Sequence, residues 1–219
     1  MDRKEIKELA KTKIRGNKWN IWWPLLLVSF VQSFIEKIFG INMFDYSFNF
    51  NNMDNLANFK INFGDTIISI IIAIAFGIVT IAYKKYVLNI VRGEKFEFND
   101  IIECVKKRWS DILLVEVVMY VIIYLCSLVF VIPGIIMALA YAMATYLVVD
   151  TDLGFKGALK ESREMMKGYK WNYFVFGLSF IGWFILVPFT LCILLIWLMP
   201  YIIVADAIYY DKLKEISKK

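Results

Sequence analysis

Asp111-Ile-Leu-Leu-Val-Glu-Val-Val-Met-Tyr-Val-Ile-Ile-Tyr-Leu-Cys-Ser-Leu-Val-Phe-Val-Ile-Pro-Gly-Ile-Ile-Met-Ala-Leu-Ala-Tyr-Ala-Met-Ala-Thr-Tyr-Leu-Val-Val-Asp150 encloses 38 residues between its two aspartates, and their only charge is Glu116. A helix needs about 20 apolar residues to cross the hydrocarbon core of a bilayer, so this run has nearly the length of two. Ile132-Pro-Gly-Ile135 stands at its midpoint. Proline fixes φ at the second position of a type II turn and glycine supplies the positive φ of the third. The stretch therefore reads as two membrane helices joined by a tight turn.

The same pattern extends outward in both directions. Hydrophobic residues make up 60% of the chain and its mean hydropathy is +0.60, well above a soluble domain's share. Trp19 to Phe39 and Thr66 to Tyr83 are each long enough to span, and the 35 uncharged residues between Lys170 and Asp206 are split near their middle by Pro188. The expected fold is all-α, a polytopic membrane protein of six transmembrane helices arranged as three hairpins, each preceded by a cytoplasmic amphipathic interfacial helix. Residues 1–219 then form a single integral membrane domain. Within it, 1–18 is an interfacial helix, 19–83 the first hairpin with an external loop at 40–65, and 84–110 a cytoplasmic interfacial segment. Residues 111–150 form the second hairpin, 151–170 an interfacial helix, 171–210 the third hairpin and 211–219 a cytoplasmic tail.

Orientation follows from the cations, since lysine and arginine near helix ends are retained on the cytoplasmic side. Residues 1–18, 84–108, 156–170 and 212–219 hold 23 of the 25 basic residues, leaving Lys37 and Lys60. Both termini are expected in the cytoplasm. No small-x-small site follows the first apolar run before Glu36-Lys37, so cleavage as a secretory signal is not expected.

A short phrase marks the start of two hairpins: Arg15-Gly-Asn-Lys-Trp-Asn20 and Lys167-Gly-Tyr-Lys-Trp-Asn172, with a looser version at Lys106-Lys-Arg-Trp-Ser110. Each ends a segment with helical periodicity. Ile6, Leu9 or Ala10, and Ile14 form one stripe; Ile101, Ile102, Val105 and Trp109 follow Asn99 as N-cap; Phe155, Ala158, Leu159, Ser162, Met166 and Tyr169 form the third. Such helices suit the inner headgroup layer, and the indole after the basic pair suits the point where the chain turns into the bilayer. Arg15, Lys18, Trp19, Lys107, Arg108, Trp109, Lys167, Lys170 and Trp171 are thus the expected headgroup anchors, with anionic lipid as their partner.

Candidates for chemistry are few. The chain has no histidine, which excludes Ser-His-Asp and Cys-His catalysis and histidine ligation of a metal. Cys104, Cys126 and Cys192 lie in or beside membrane segments and read as packing residues, and no phosphate-cradling glycine loop occurs. Neither a cofactor nor a metal is expected, and nucleic acid is not an expected partner. Glu116 and Asp206 are the two carboxylates inside apolar runs. A charge there costs a few kcal/mol on insertion scales, so each should face a partner such as Lys84 or Lys85, or a wet cavity. Residues 40–65 differ from the rest: seven asparagines, alternating Phe44, Tyr46, Phe48 and Phe50, then Phe59, Ile61 and Phe63. They predict a small external β-hairpin, buried on its own fold or open to a membrane-protein or peptide partner.

Ala158-Leu-Lys-Glu-Ser-Arg-Glu-Met-Met-Lys-Gly168, Leu178-Ser-Phe-Ile-Gly-Trp183, Trp197-Leu-Met-Pro-Tyr201, Ala207-Ile-Tyr-Tyr210 and Ala10-Lys-Thr-Lys-Ile-Arg-Gly-Asn17 closely resemble the DUF975 family of bacterial integral membrane proteins. The first of these is also distantly similar to YciC-like proteins and to membrane domains attached to some glycerophosphodiesterases. The resemblance implies six helices in a bacterial plasma membrane and supplies no catalytic residues. The expected function is that of a non-enzymatic module contacting lipid or envelope proteins, with protection against membrane-active peptides as a variant. The alternative is a small transporter or channel whose pathway runs between the hairpins past Glu116, Asp206, Ser127, Thr145 and Ser179.

Overall fold

Among its described residues the computed structural model has the helices α1 (Arg3–Gly16), α2 (Lys18–Phe39), α3 (Phe63–Arg92), α4 (Phe98–Val129), α5 (Val131–Tyr141), α6 (Ala144–Asp150), α7 (Gly154–Met165), α8 (Lys170–Leu178), α9 (Ile181–Leu186) and α10 (Ile193–Ser217). The structure describes residues 2–39, 63–94, 98–129, 131–187, 190 and 193–217, with the side chains of 31–39, 63–75, 98–101, 127–131, 185 and 193 set aside. No strand occurs among the described residues. The expected β-hairpin lies outside them except at its end, where Phe63 opens α3 rather than closing a strand.

Length and apolarity single out three candidate membrane spans among the described residues: Ile102–Cys126, Ile132–Asp150 and Leu194–Ser217. They fall on the third, fourth and sixth segments read from the sequence. The first two segments run through residues outside the described side chains. The fifth is broken at Ser179-Phe180 into helices of 9 and 6 residues, each too short to span alone.

Two local expectations are corrected. α4 continues to Val129 and α5 opens at Val131, so Pro133 stands in the first turn of α5 instead of in a type II turn. Its missing N–H has no intrahelical acceptor to lose there. Gly134 is helical, and the described glycines with positive φ are Gly93, Gly154 and Gly168. Asn99 likewise lies inside the first turn of α4, which starts at Phe98.

The buried side chains gather at the end of the bundle where Asp150 lies. Val87 and Leu88 of α3, Tyr146 and Leu147 of α6, and Ala205, Tyr209, Tyr210 and Leu213 of α10 are all at most 1% exposed. By contrast Phe30 of α2, Tyr120 and Tyr124 of α4, and Ile132 of α5 present open apolar surface. Among the described side chains, α3, α6 and α10 thus pack closely on one another while α2, α4 and α5 leave apolar faces outward. Such a surface suits lipid tails, which are as apolar as leucine.

Two of the three amphipathic faces are covered by the protein itself. Ile6 and Ala10 are fully buried, with α1 laid against α10 and tied to it by the Glu5–Lys212 ion pair at 2.6 Å. Ala158, Ser162 and Met166 are fully buried as well, and the Ser162 hydroxyl donates to the Ala140 carbonyl at 3.0 Å. An apolar stripe gains as much from a neighbouring helix as from acyl chains, so periodicity alone does not separate the two. On the opening turns of α4 the face is only partly covered, with Val105 packed against the core and Ile102 and Trp109 exposed.

Candidate functional site

One face of α3 repeats at three- and four-residue spacing, bringing Gly77, Thr80, Ile81 and Lys84 into a line. Glu116 of α4 presses on that line at Gly77. A Cβ there would stand 1.5 Å from Glu116 Oε1, so the close approach requires glycine. Glu116 is 9% exposed and its Oε2 has no hydrogen-bond partner among the described residues. Lys84 Nζ donates to Thr145 Oγ1 at 3.0 Å and sits 5.0 Å from the centre of the Tyr146 ring. The charges acting on this ammonium are Asp206 and Glu116. Tyr146 and Tyr173 donate their hydroxyls to Asp206 at 3.2 and 2.7 Å.

Among the described residues Lys84 Nζ bonds to Thr145 and not to a carboxylate, while the two carboxylates singled out by the sequence lie near enough to act on the charge of Lys84. A cavity of about 510 Å³ opens onto it, lined by Gly77, Thr80, Lys84, Glu116, Tyr120 and Thr145. Of the other polar residues expected along a pathway, Ser127 has its side chain outside the described set. Ser179 lies elsewhere: its hydroxyl donates to the Phe176 carbonyl, and its own carbonyl accepts from Lys7 Nζ at 3.2 Å.

Lys85 turns to a second cluster that sequence reasoning missed. Asp150, 3% exposed at its side chain, accepts from Arg92 Nη1 and Nη2 at 2.6 and 3.0 Å, from Lys85 at 3.4 Å, from the Tyr210 hydroxyl at 2.8 Å and from Lys214. Arg92 also reaches Asp211 through Nε at 3.1 Å and Nη2 at 2.6 Å. Burial pulls the Arg92 pKa down, but the hydrogen bonds to Asp150 and Asp211 outweigh it and hold the guanidinium above its ordinary value. The knot ties the ends of α3, α6 and α10 together. Its members are scattered along the chain, and the single sequence signal was an acidic residue closing a long apolar run among basic segments.

The repeated phrase marks three interruptions of helical geometry. Asn17 (φ −130°, ψ 32°), Arg108 (φ −125°, ψ 17°) and Tyr169 (φ −107°, ψ −6°) each take a near-bridge conformation one or two residues before its tryptophan. Gly168, at φ 80°, provides the left-handed residue between α7 and α8. Trp19, Trp109 and Trp171 are 79, 58 and 73% exposed. Arg15, Lys18, Lys107 and Lys167 are exposed and Lys170 is half-buried. Arg108 differs from this set. Its guanidinium donates to the Val148 carbonyl at 3.2 Å and to the Thr151 carbonyl, and pairs with Asp152. It closes the C-terminal end of α6 and does not project with the other anchors.

Among the described residues no three acidic or cysteine side chains come within reach of a common metal ion, and Cys104 and Cys126 are free thiols. Apolar helices of spanning length among the described residues define the class: an α-helical membrane protein. The family model "Protein of unknown function (DUF975)" matches residues 1–139 and 121–217, and the chain belongs to that family. No curated protein matches the chain, and no solved structure does.

Proposed function

We propose that this is a non-enzymatic module of the bacterial plasma membrane that engages anionic lipid at its cytoplasmic face, with six spans in three hairpins and both termini inside. The observation that carries the reading is the set of exposed indoles, Trp19, Trp109 and Trp171, each beside basic residues at a break in helical geometry. Indoles prefer the headgroup level, and each adjacent cation adds about 1 kcal/mol of attraction to an anionic leaflet. The Glu5–Lys212 ion pair supports placing the two ends of the chain on one side. Close packing of α4 on α5, with one residue between them, supports the second hairpin. Protection against a membrane-active peptide, or contact with an envelope protein through residues 40–65, is compatible with this role.

The test counts lipids recovered with the protein from bilayers of mixed phosphatidylglycerol and phosphatidylcholine. Lys106→Gln with Lys107→Gln should reduce phosphatidylglycerol enrichment about 30-fold, at roughly 1 kcal/mol per charge, and leave the melting temperature unchanged. Arg108→Gln should do the reverse, because its guanidinium is committed to α6. Equal enrichment in all three proteins would defeat the lipid reading.

A second reading, a small transporter, is favoured by one specific observation. Glu116, whose buried Oε2 has no partner among the described residues, and the half-buried Lys84 line one open cavity. Glu116→Gln should then abolish a proton or solute flux into proteoliposomes; the absence of any flux from the unaltered protein rules the transporter out.

A further inference from the structure

A groove of about 320 Å³ lies between the α1–α2 corner and the α9–α10 face, lined by Lys11, Arg15, Lys18, Trp22, Trp183 and Trp197 among others. Its volume is within the range of small-ligand sites, roughly 300–1,000 Å³. Cations rim one side and indoles and leucines form the rest. Trp22 and Trp197 meet edge to face with ring centres 4.2 Å apart, and Trp183 and Trp197 are about half exposed. Trp22 Nε1 is buried yet has no acceptor among the described residues. Lys11 is shared with Glu8 at 2.9 Å, which leaves Arg15 and Lys18 as the principal charges.

We infer that this groove is a discrete site for one anionic glycerophospholipid. Charge complementarity selects the headgroup: the three cations attract a phosphate and repel a cationic ligand. The indole walls select the rest, because a free phosphate would leave Trp183 and Trp197 uncovered, whereas an acyl chain covers them. The inference deepens the lipid reading above by naming a stoichiometric site separate from the Lys106–Trp109 segment.

Native mass spectrometry of the detergent-purified full chain tests it, with phosphatidylglycerol and phosphatidylcholine of identical acyl chains as probes. The unaltered protein should retain one phosphatidylglycerol in preference to phosphatidylcholine. Replacing Lys11, Arg15 and Lys18 together by glutamine should weaken that retention about 100-fold. Leu194→Trp, which fills the groove and leaves its charges intact, should weaken it too, while Lys106→Gln with Lys107→Gln should not. Helical circular dichroism checks that every variant is folded. Equal retention of the two lipids, unchanged retention in both groove variants, or a retained peptide or second copy of the chain in place of lipid would each overturn the site. If only the bilayer enrichment at Lys106 and Lys107 fails, the collar falls and the groove stands.

Discussion

Asp150→Leu is expected to lower the stability of the folded protein by about 3 kcal/mol, the lower end of the range for breaking a buried ion pair. The carboxylate is nearly inaccessible, and its removal leaves Arg92, Lys85 and Lys214 facing one another with only Asp211 to balance them. The low end applies because these cations keep 18 to 25% of their side-chain surface in contact with solvent. Thermal unfolding in detergent, followed by circular dichroism, is the measurement. Adding Arg92→Leu to Asp150→Leu should cost no more than the single change, because the second substitution removes one of the stranded charges. If the losses simply add, the knot does not act as a unit.

Lys84→Met should also lower stability, by about 1–3 kcal/mol, for a different reason: it removes the bond to Thr145 and the charge that acts on Glu116 and Asp206. Methionine fills much the same volume without charge. Two carboxylates then remain inside the bundle, Asp206 held by two tyrosines and Glu116 against Gly77. Asp206→Asn or Glu116→Gln, introduced beside Lys84→Met, should restore part of the lost melting temperature. Absence of rescue by either would show that Lys84 matters through its packing on Tyr146 and not through its charge.

Much of the architecture was legible because membrane helices are specified by local composition. A helix in lipid satisfies its own backbone, so a run of apolar residues bounded by charges is enough to mark it. The start of α2 was placed within one residue of Trp19 for that reason. Breaks inside such runs were less legible. Pro133-Gly134 was read as a turn, yet proline is tolerated at a helix start, and the described break between α4 and α5 falls before Val131. The interruption at Ser179-Phe180 carries no helix-breaking residue at all.

The candidate site was half legible. Glu116 and Asp206 stood out because a carboxylate in an apolar run needs an explanation, and Lys84 was named among their partners. Gly77, Tyr146 and Tyr173 did not stand out, since a glycine or tyrosine in a membrane helix is unremarkable until another helix brings a polar group against it. The bonding of Arg108 to the end of α6 and the ion cluster at Asp150 were not legible for a related reason. At a helix end, charge looks the same whether it faces a headgroup or a neighbouring helix.

The sequence by itself determined the helical class, the approximate ends of several helices, the family, and the absence of histidine chemistry, all of which depend on composition and short-range order. Only the tertiary structure decided which amphipathic faces are covered by α10 and which remain open. It also decided that Glu116 and Asp206 both come near Lys84, and that three cations and three indoles line one groove. These depend on contacts between residues far apart in the chain, whose energies come from proximity and dehydration and leave no periodic trace in the order of the amino acids.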